Sequence, residues 1–143
     1  MPLTTEDRLA IHELISLHGH LADDRRSDEL ALLLTPDASY DVTAYGLGVV
    51  RGLPALIELF SSAPGDQPVG HHVTNVIVTA DPDLADRARV RSKGLSVMAD
   101  GRAGTVVYED QVVRTADGWR ISTRLVLPAR PPSRTESTSK SSP

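Results

Sequence analysis

Two histidines, His71 and His72, stand side by side at the head of the segment GHHVTNVIV, residues 70–78. The β-branched run behind them reads as a strand that at least one packed layer covers. Successive strand side chains point to opposite faces, so one imidazole faces into the fold and the other faces out. An imidazole at the mouth of a buried strand is a natural proton carrier, because the free group titrates near neutral pH. The plainer reading is a surface histidine beside a hydrogen-bonded core histidine. His18 is a third candidate. It falls on the stripe Ile11, Leu14, Ile15 and Ala22, at steps of three and four, where an apolar residue is expected. Its plainer reading is a core histidine bonded to backbone or tyrosine. His12 and His20 lie off that stripe.

The same residues argue against several chemistries. His18 and His20 diverge on a helix, and His71 and His72 diverge on a strand, so neither pair can hold one metal ion. There are no cysteines, which excludes disulfides, thiolate catalysis and cysteine zinc sites. No G-x-S-x-G elbow and no phosphate-binding glycine loop occurs. The net charge of -4 comes without a basic block, so nothing points to nucleic acid. No apolar run approaches a membrane span, and the N-terminus lacks a leader-like pattern; the expected location is the cytoplasm. The reading calls for no cofactor and no metal.

The chain of 143 residues suits one domain with a real core. Thr4, with Asp7 three residues on, predicts a capped helix over roughly Thr5–Asp23. A short second helix is expected over 28–34 and a turn at Pro36-Asp37. A strand over 38–43 would put Tyr40 and Val42 on one face, with a short return strand at 49–51. Pro54 opens a third helix that ends near Ser62. After a Pro/Gly loop come four strands joined by tight turns: the 70–78 segment, 87–98, 103–114 and 119–127. Along 87–98 the arginine-bearing face turns apolar at Leu95 and Val97, the mark of a partner surface or a bulge. The tail 128–143 is Ser/Thr/Pro-rich and is predicted to be disordered, leaving a domain over 1–127. The order predicts an α+β fold, with N-terminal helices capping a curved antiparallel sheet. Such a cone can hold a small molecule. Its expected wall is Ile11, Leu14, Val42, Val90 and either Ile77 or Val76. Arg124, near the end of the last strand, would pair with an anionic substrate group or, more simply, face solvent.

Four stretches in order, AIHELISL (10–17), the segment 23–40 ending in TPDASY, GHHVTNVIV, and VRTADGWRI (113–121), resemble the SnoaL-like family of the nuclear transport factor 2-like superfamily. The likeness covers roughly residues 5–127. It implies a cone-shaped α+β barrel. That superfamily includes scytalone dehydratase, a bile-acid dehydratase, a hexachlorocyclohexane dehydrochlorinase, steroid isomerase, polyketide cyclases and members that only bind, so fold alone does not settle function. The resemblance implies an aspartate–histidine dyad, and the matching positions are Asp23 and His71, with His72 the alternative for a register one residue off. It places Tyr40 near a substrate-orienting tyrosine and makes His18 an extra imidazole where tyrosine is common. The chain departs from the family at Ser27, where tryptophan is frequent. It also departs at Gly94 and Ser96, where dehydratases carry a second acid or base. The departures disfavour dehydration more than proton abstraction by a single base. The expected function is a cofactor-independent lyase, isomerase or cyclase acting on a small, mostly apolar, polycyclic or polyketide-like substrate, the protein working as a homodimer. The alternative is a non-catalytic binding or accessory domain of the same fold.

Overall fold

A computed structural model describes residues 2–62 and 66–130 of the chain. Helix α1 (Thr5–Asp23) is followed by a 3-10 helix (Ser27–Leu32), strand β1 (Leu34–Asp41), a 3-10 turn (Thr43–Tyr45) and strand β2 (Val49–Arg51). Helix α2 (Leu53–Ser61) then leads to β3 (Gly70–Ala80), β4 (Arg87–Val97), β5 (Ala103–Thr115) and β6 (Gly118–Pro128). One six-stranded sheet runs in the order β2-β1-β6-β5-β4-β3. The fold is the expected α+β cone, a curved sheet with the helices against its inner face. The sheet is mixed rather than wholly antiparallel, because β1 lies parallel to β6. That contact joins Leu34 to Ile121 across most of the chain, and no local turn signal could announce it.

Two boundaries differ from expectation. The second helix is 3-10 rather than α, and it stops before Leu33. Strand β1 therefore starts early and takes in Pro36-Asp37, which was expected to turn. The ladder with β6 is irregular between Leu34 and Ser39, and a proline without an N–H is tolerated where pairing lapses. A second irregularity lies in β3 between Thr74 and Ile77, with Asn75 at φ 55. This bulge shifts the parity of the strand. Val73 before it and Val76 after it pack on the core, while Ile77 is turned out to solvent. Of the two expected wall residues, Val76 is thus the inward one, but it belongs to the core.

Helix α1 is fixed at its start. The Asp7 N–H donates to the Thr4 hydroxyl and the Thr4 N–H donates to the Asp7 carboxylate, each at 3.0 Å. The other Asp7 oxygen accepts from Trp119 Nε1 at 3.2 Å and meets Arg114 at 2.7 Å, tying the helix to β5 and β6. The Thr4 N–H above all, then Arg114 and Trp119, holds the Asp7 carboxyl down to about 2. Its contribution to stability is therefore present above the ordinary carboxyl value and is lost as pH falls from about 4 toward 2.

Further along, Ile11, Leu14 and Ile15 pack with Val78, Val90, Val112 and Ile121 into the core. Ile11, Leu14 and Val90 were expected to line the cavity, and they do not. All three pack in the core between α1 and the sheet instead. On the outer face of the sheet, Leu95 is 38 % exposed among Arg89, Arg91 and Lys93. Pro128 closes β6, and residues 131–143 of the expected disordered tail lie outside the described residues. Among the described residues no helix is long and apolar enough to cross a membrane.

Candidate active site

Asp23 ends α1, and His71 opens β3 at the edge of the sheet. The Asp23 carboxylate meets the His71 ring at Nδ1, 2.7 Å away. It also accepts the His71 backbone N–H, at 3.0 Å from Oδ1 and 3.1 Å from Oδ2. One carboxylate therefore fixes both the main chain and the ring. A carboxylate can only accept, so Nδ1 carries the hydrogen and Nε2 is left to take a proton.

The approach that permits this contact depends on a residue the sequence did not single out. A Cβ on Gly19 would stand 2.3 Å from the His71 carbonyl oxygen, so only glycine lets α1 lie this close to β3. No rotamer change relieves a clash with backbone. Gly19→Ala should therefore destabilise the domain by roughly 1–3 kcal/mol as an overpacking change. That outweighs the gain in helix propensity of about 1 kcal/mol. Chemical denaturation reads the difference, and a stabilised variant would contradict this placement of α1.

The dyad lies in the wall of a cavity of about 440 Å³ that also takes in His18, Tyr40, Val42, Phe60, Tyr108 and Ser96. Of the five aromatic residues in the chain, Tyr40, Phe60 and Tyr108 are in this wall. The His18 ring meets Phe60, Tyr108 and His71 edge-on at centroid distances of 5.8, 5.8 and 6.2 Å. Tyr108 also fills the space over Gly94, where a Cβ would fall 2.6 Å from its ring. Gly94, one of the two positions where dehydratases carry a second acid or base, is thus covered by a phenol from β5, while the other, Ser96, stands in the wall. Alternation along β5 places Tyr108 inward, opposite Ser92 and Val126, and that pattern was the available signal for it. His72 pairs with Leu95 on the outer face, is exposed, and takes no part in the wall.

Residues 3–125 match the family model described as a SnoaL-like domain. The chain belongs to the SnoaL-like domain family. An uncharacterized protein of Mycobacterium tuberculosis is 36% identical over 124 residues, covering 83% of both chains. Among solved structures, one described as an aromatic ring hydroxylase of Novosphingobium aromaticivorans is 30% identical at a TM-score of 0.75, covering 90% of this chain and 93% of that one. A hexachlorocyclohexane dehydrochlorinase of Novosphingobium barchaimii shares the fold at a TM-score of 0.67 and 21% identity, covering 89% and 92%.

Behind the cavity wall of this SnoaL-like domain lies a buried ion pair. Arg124 was expected to meet substrate or solvent; it does neither. It is 1% exposed and stands directly opposite Asp110 across β5 and β6. Its Nε and Nη2 donate to the two Asp110 oxygens at 2.7 and 2.8 Å. Burial works against the cation, but the Asp110 carboxylate outweighs it and raises the guanidinium above its ordinary value. The guanidinium carbon lies 4.1 Å from the Tyr108 ring centre and 5.7 Å from that of Tyr40. Arg124 therefore backs the two phenols.

Among the described residues, His18 Nδ1, the Tyr40 hydroxyl, Arg124 Nη1 and Ser92 Oγ, opposite Tyr108, are buried polar atoms without a hydrogen-bond partner. Burial first, and then the positive field of Arg124, pushes the His18 pKa well below its ordinary value. Burial pushes the Tyr40 hydroxyl up to about 12, with Arg124 pulling the other way. Both groups are thus neutral at pH 7. Among the described residues no group of three or more His, Asp or Glu is placed to hold a metal ion.

The His18 shift has a measurable consequence. Below the ordinary imidazole value the unfolded chain binds a proton that the folded state refuses. Stability should therefore fall as pH drops below about 6.5, by up to about 1.4 kcal/mol per unit from this group. Urea denaturation across pH 5–7 should show a shallower fall for His18→Phe. Parallel curves would mean that His18 accepts a proton in the folded protein.

Proposed function

We propose that this cavity is the active site of a cofactor-independent lyase, isomerase or cyclase, with His71 as the general base. The observation that carries the reading is the threefold hold of Asp23 on His71, which presents Nε2 as the proton acceptor. His71 would take a proton from carbon next to a carbonyl group, giving an enolate and an imidazolium. The neutral Tyr40 hydroxyl would donate a hydrogen bond to the enolate oxygen, with His18 as a further neutral polar group. The imidazolium would return its proton at a second carbon in an isomerisation, or give it to a new alkoxide in a cyclisation. In an elimination the leaving group would depart as an anion. Dehydration fits less well, because Gly94, where dehydratases carry a second acid or base, brings no such group and is covered by Tyr108.

The aromatic wall favours a flat, mostly apolar ring as substrate. The resemblance to a structure described as an aromatic ring hydroxylase supports the same substrate shape, though not that reaction. A test that needs no natural substrate is hydrogen–deuterium exchange at the carbons beside the carbonyl of 2-tetralone in D₂O, followed by NMR. The protein should speed exchange above the buffer rate. Exchange at the buffer rate, with 2-tetralone seen to bind in the cavity, would leave the domain as a binder.

A further inference from the structure

Helix α1 ends in a way that works against its own stability. The Arg26 N–H bonds back to the Leu21 carbonyl and the Arg25 N–H to the Ala22 carbonyl, at 2.9 and 3.3 Å. Those two bonds close a Schellman motif, and the residue between the cap Asp24 and Arg26 must adopt the left-handed conformation. Glycine is the residue that takes this conformation without a steric penalty. Here it is Arg25, at φ 54. Arg25 is exposed and is one of the residues that line the cavity, with Asp23, Ser27, Ser61 and Gln67.

Asp23 and Arg25 are the formally charged, non-histidine side chains of the described wall. The Asp23 carboxylate is engaged by His71 through three contacts. Arg25 forms no ion pair with any described carboxylate, although Asp24 and Asp28 are close in sequence and Arg26 takes Glu29. The deeper cation, Arg124, is neutralised by Asp110 behind the wall. The cavity thus has an apolar, aromatic interior, a base at one side, and one uncommitted guanidinium held at a backbone position that glycine would fill better.

We propose that Arg25 is a specificity residue that binds an anionic oxygen group, such as a carboxylate, on a ligand whose apolar ring occupies the aromatic part of the cavity. The inference deepens the reading of this cavity as a ligand site, and its test does not depend on His71 acting as a base. A planar guanidinium matches a carboxylate through two parallel hydrogen bonds. A partly exposed pair of this kind affects which ligand is chosen more than how tightly ligands bind overall.

The test uses two probes of equal shape, 2-naphthylacetate and 2-naphthylacetamide, titrated into the full chain at pH 7 and followed by NMR. The wild type should prefer the carboxylate by about tenfold, the scale of one exposed charge-assisted contact. Arg25→Gly should bring the two probes to parity while holding or raising the melting temperature, by about 3 °C for a domain of this size. Arg25→Lys should keep part of the preference. A preference that survives Arg25→Gly would overturn the proposal, as would no preference in the wild type or no saturation by either probe. A melting temperature several degrees lower in Arg25→Gly would show that the side chain serves the fold, and would overturn it too. Absence of deuterium exchange in the wild type with an intact probe preference, by contrast, would defeat only the general-base reading.

Discussion

Asp110→Ala should destabilise the domain by about 3–5 kcal/mol. The substitution removes both acceptors of a guanidinium that has no exposed side-chain surface. Nη1 of Arg124 already lacks a partner among the described residues, so the substitution adds to a donor deficit that exists in the native fold. Breaking a buried pair from one side typically costs about 3–5 kcal/mol, because a charge is left in a low-dielectric interior. Native domains hold about 5–15 kcal/mol in total, so the loss is a large share of it. The double variant Asp110→Val with Arg124→Met should recover most of that stability, since apolar replacements of similar volume remove the stranded charge. Denaturation of the two variants separates the explanations. A mild effect of Asp110→Ala alone would mean that water reaches Arg124. If the double variant is as stable as the wild type, the pair adds little net stability. Its role would then lie in backing Tyr40 and Tyr108 at the cavity wall.

That pair also shows where sequence reading stopped short. An arginine near the end of an alternating strand looks like a solvated one, and in β4 that is what Arg87, Arg89 and Arg91 are. Arg124 falls on the other parity because the β5–β6 ladder slips between Gln111 and Val112. A slip of one residue exchanges the faces of a strand, and no local residue type announces it. The bulge near Asn75 did the same to Ile77. By contrast, the α1 boundaries and its cap were legible, since they rest on local spacing and on one hydroxyl–carboxylate exchange. The closeness of His71 to Asp23 was legible only through family resemblance, because the two residues are far apart in sequence and their meeting depends on the missing side chain of Gly19. The cavity wall was half legible. Inward-facing positions such as Tyr40 and Tyr108 follow from alternation, whereas the division between packed core, where Ile11 and Leu14 lie, and open cavity, where His18 lies, depends on tertiary packing that no local pattern carries.

His71→Ala should abolish the exchange activity proposed for the cavity while leaving the fold intact. The side chain is about a quarter exposed, at 24%, so its removal opens no large internal void. Loss of a positioned proton acceptor typically costs about 10²–10⁴ in rate. Asp23→Asn should cost nearly as much for a different reason. An amide can place its NH₂ against Nδ1 and so select the tautomer with hydrogen on Nε2, which cannot accept a proton. It also removes the charge that stabilises the imidazolium once formed. The pair acts as one unit, so the double variant should be no slower than the slower single variant. His72→Ala should be close to neutral, because its side chain leaves from the outer face beside Leu95. The readout is the exchange rate of 2-tetralone in D₂O, with circular dichroism as the check on folding. Additive losses at Asp23 and His71 would mean that the carboxylate acts on the substrate directly rather than through the imidazole. Wild-type exchange that is unchanged by either substitution would remove His71 from the chemistry altogether.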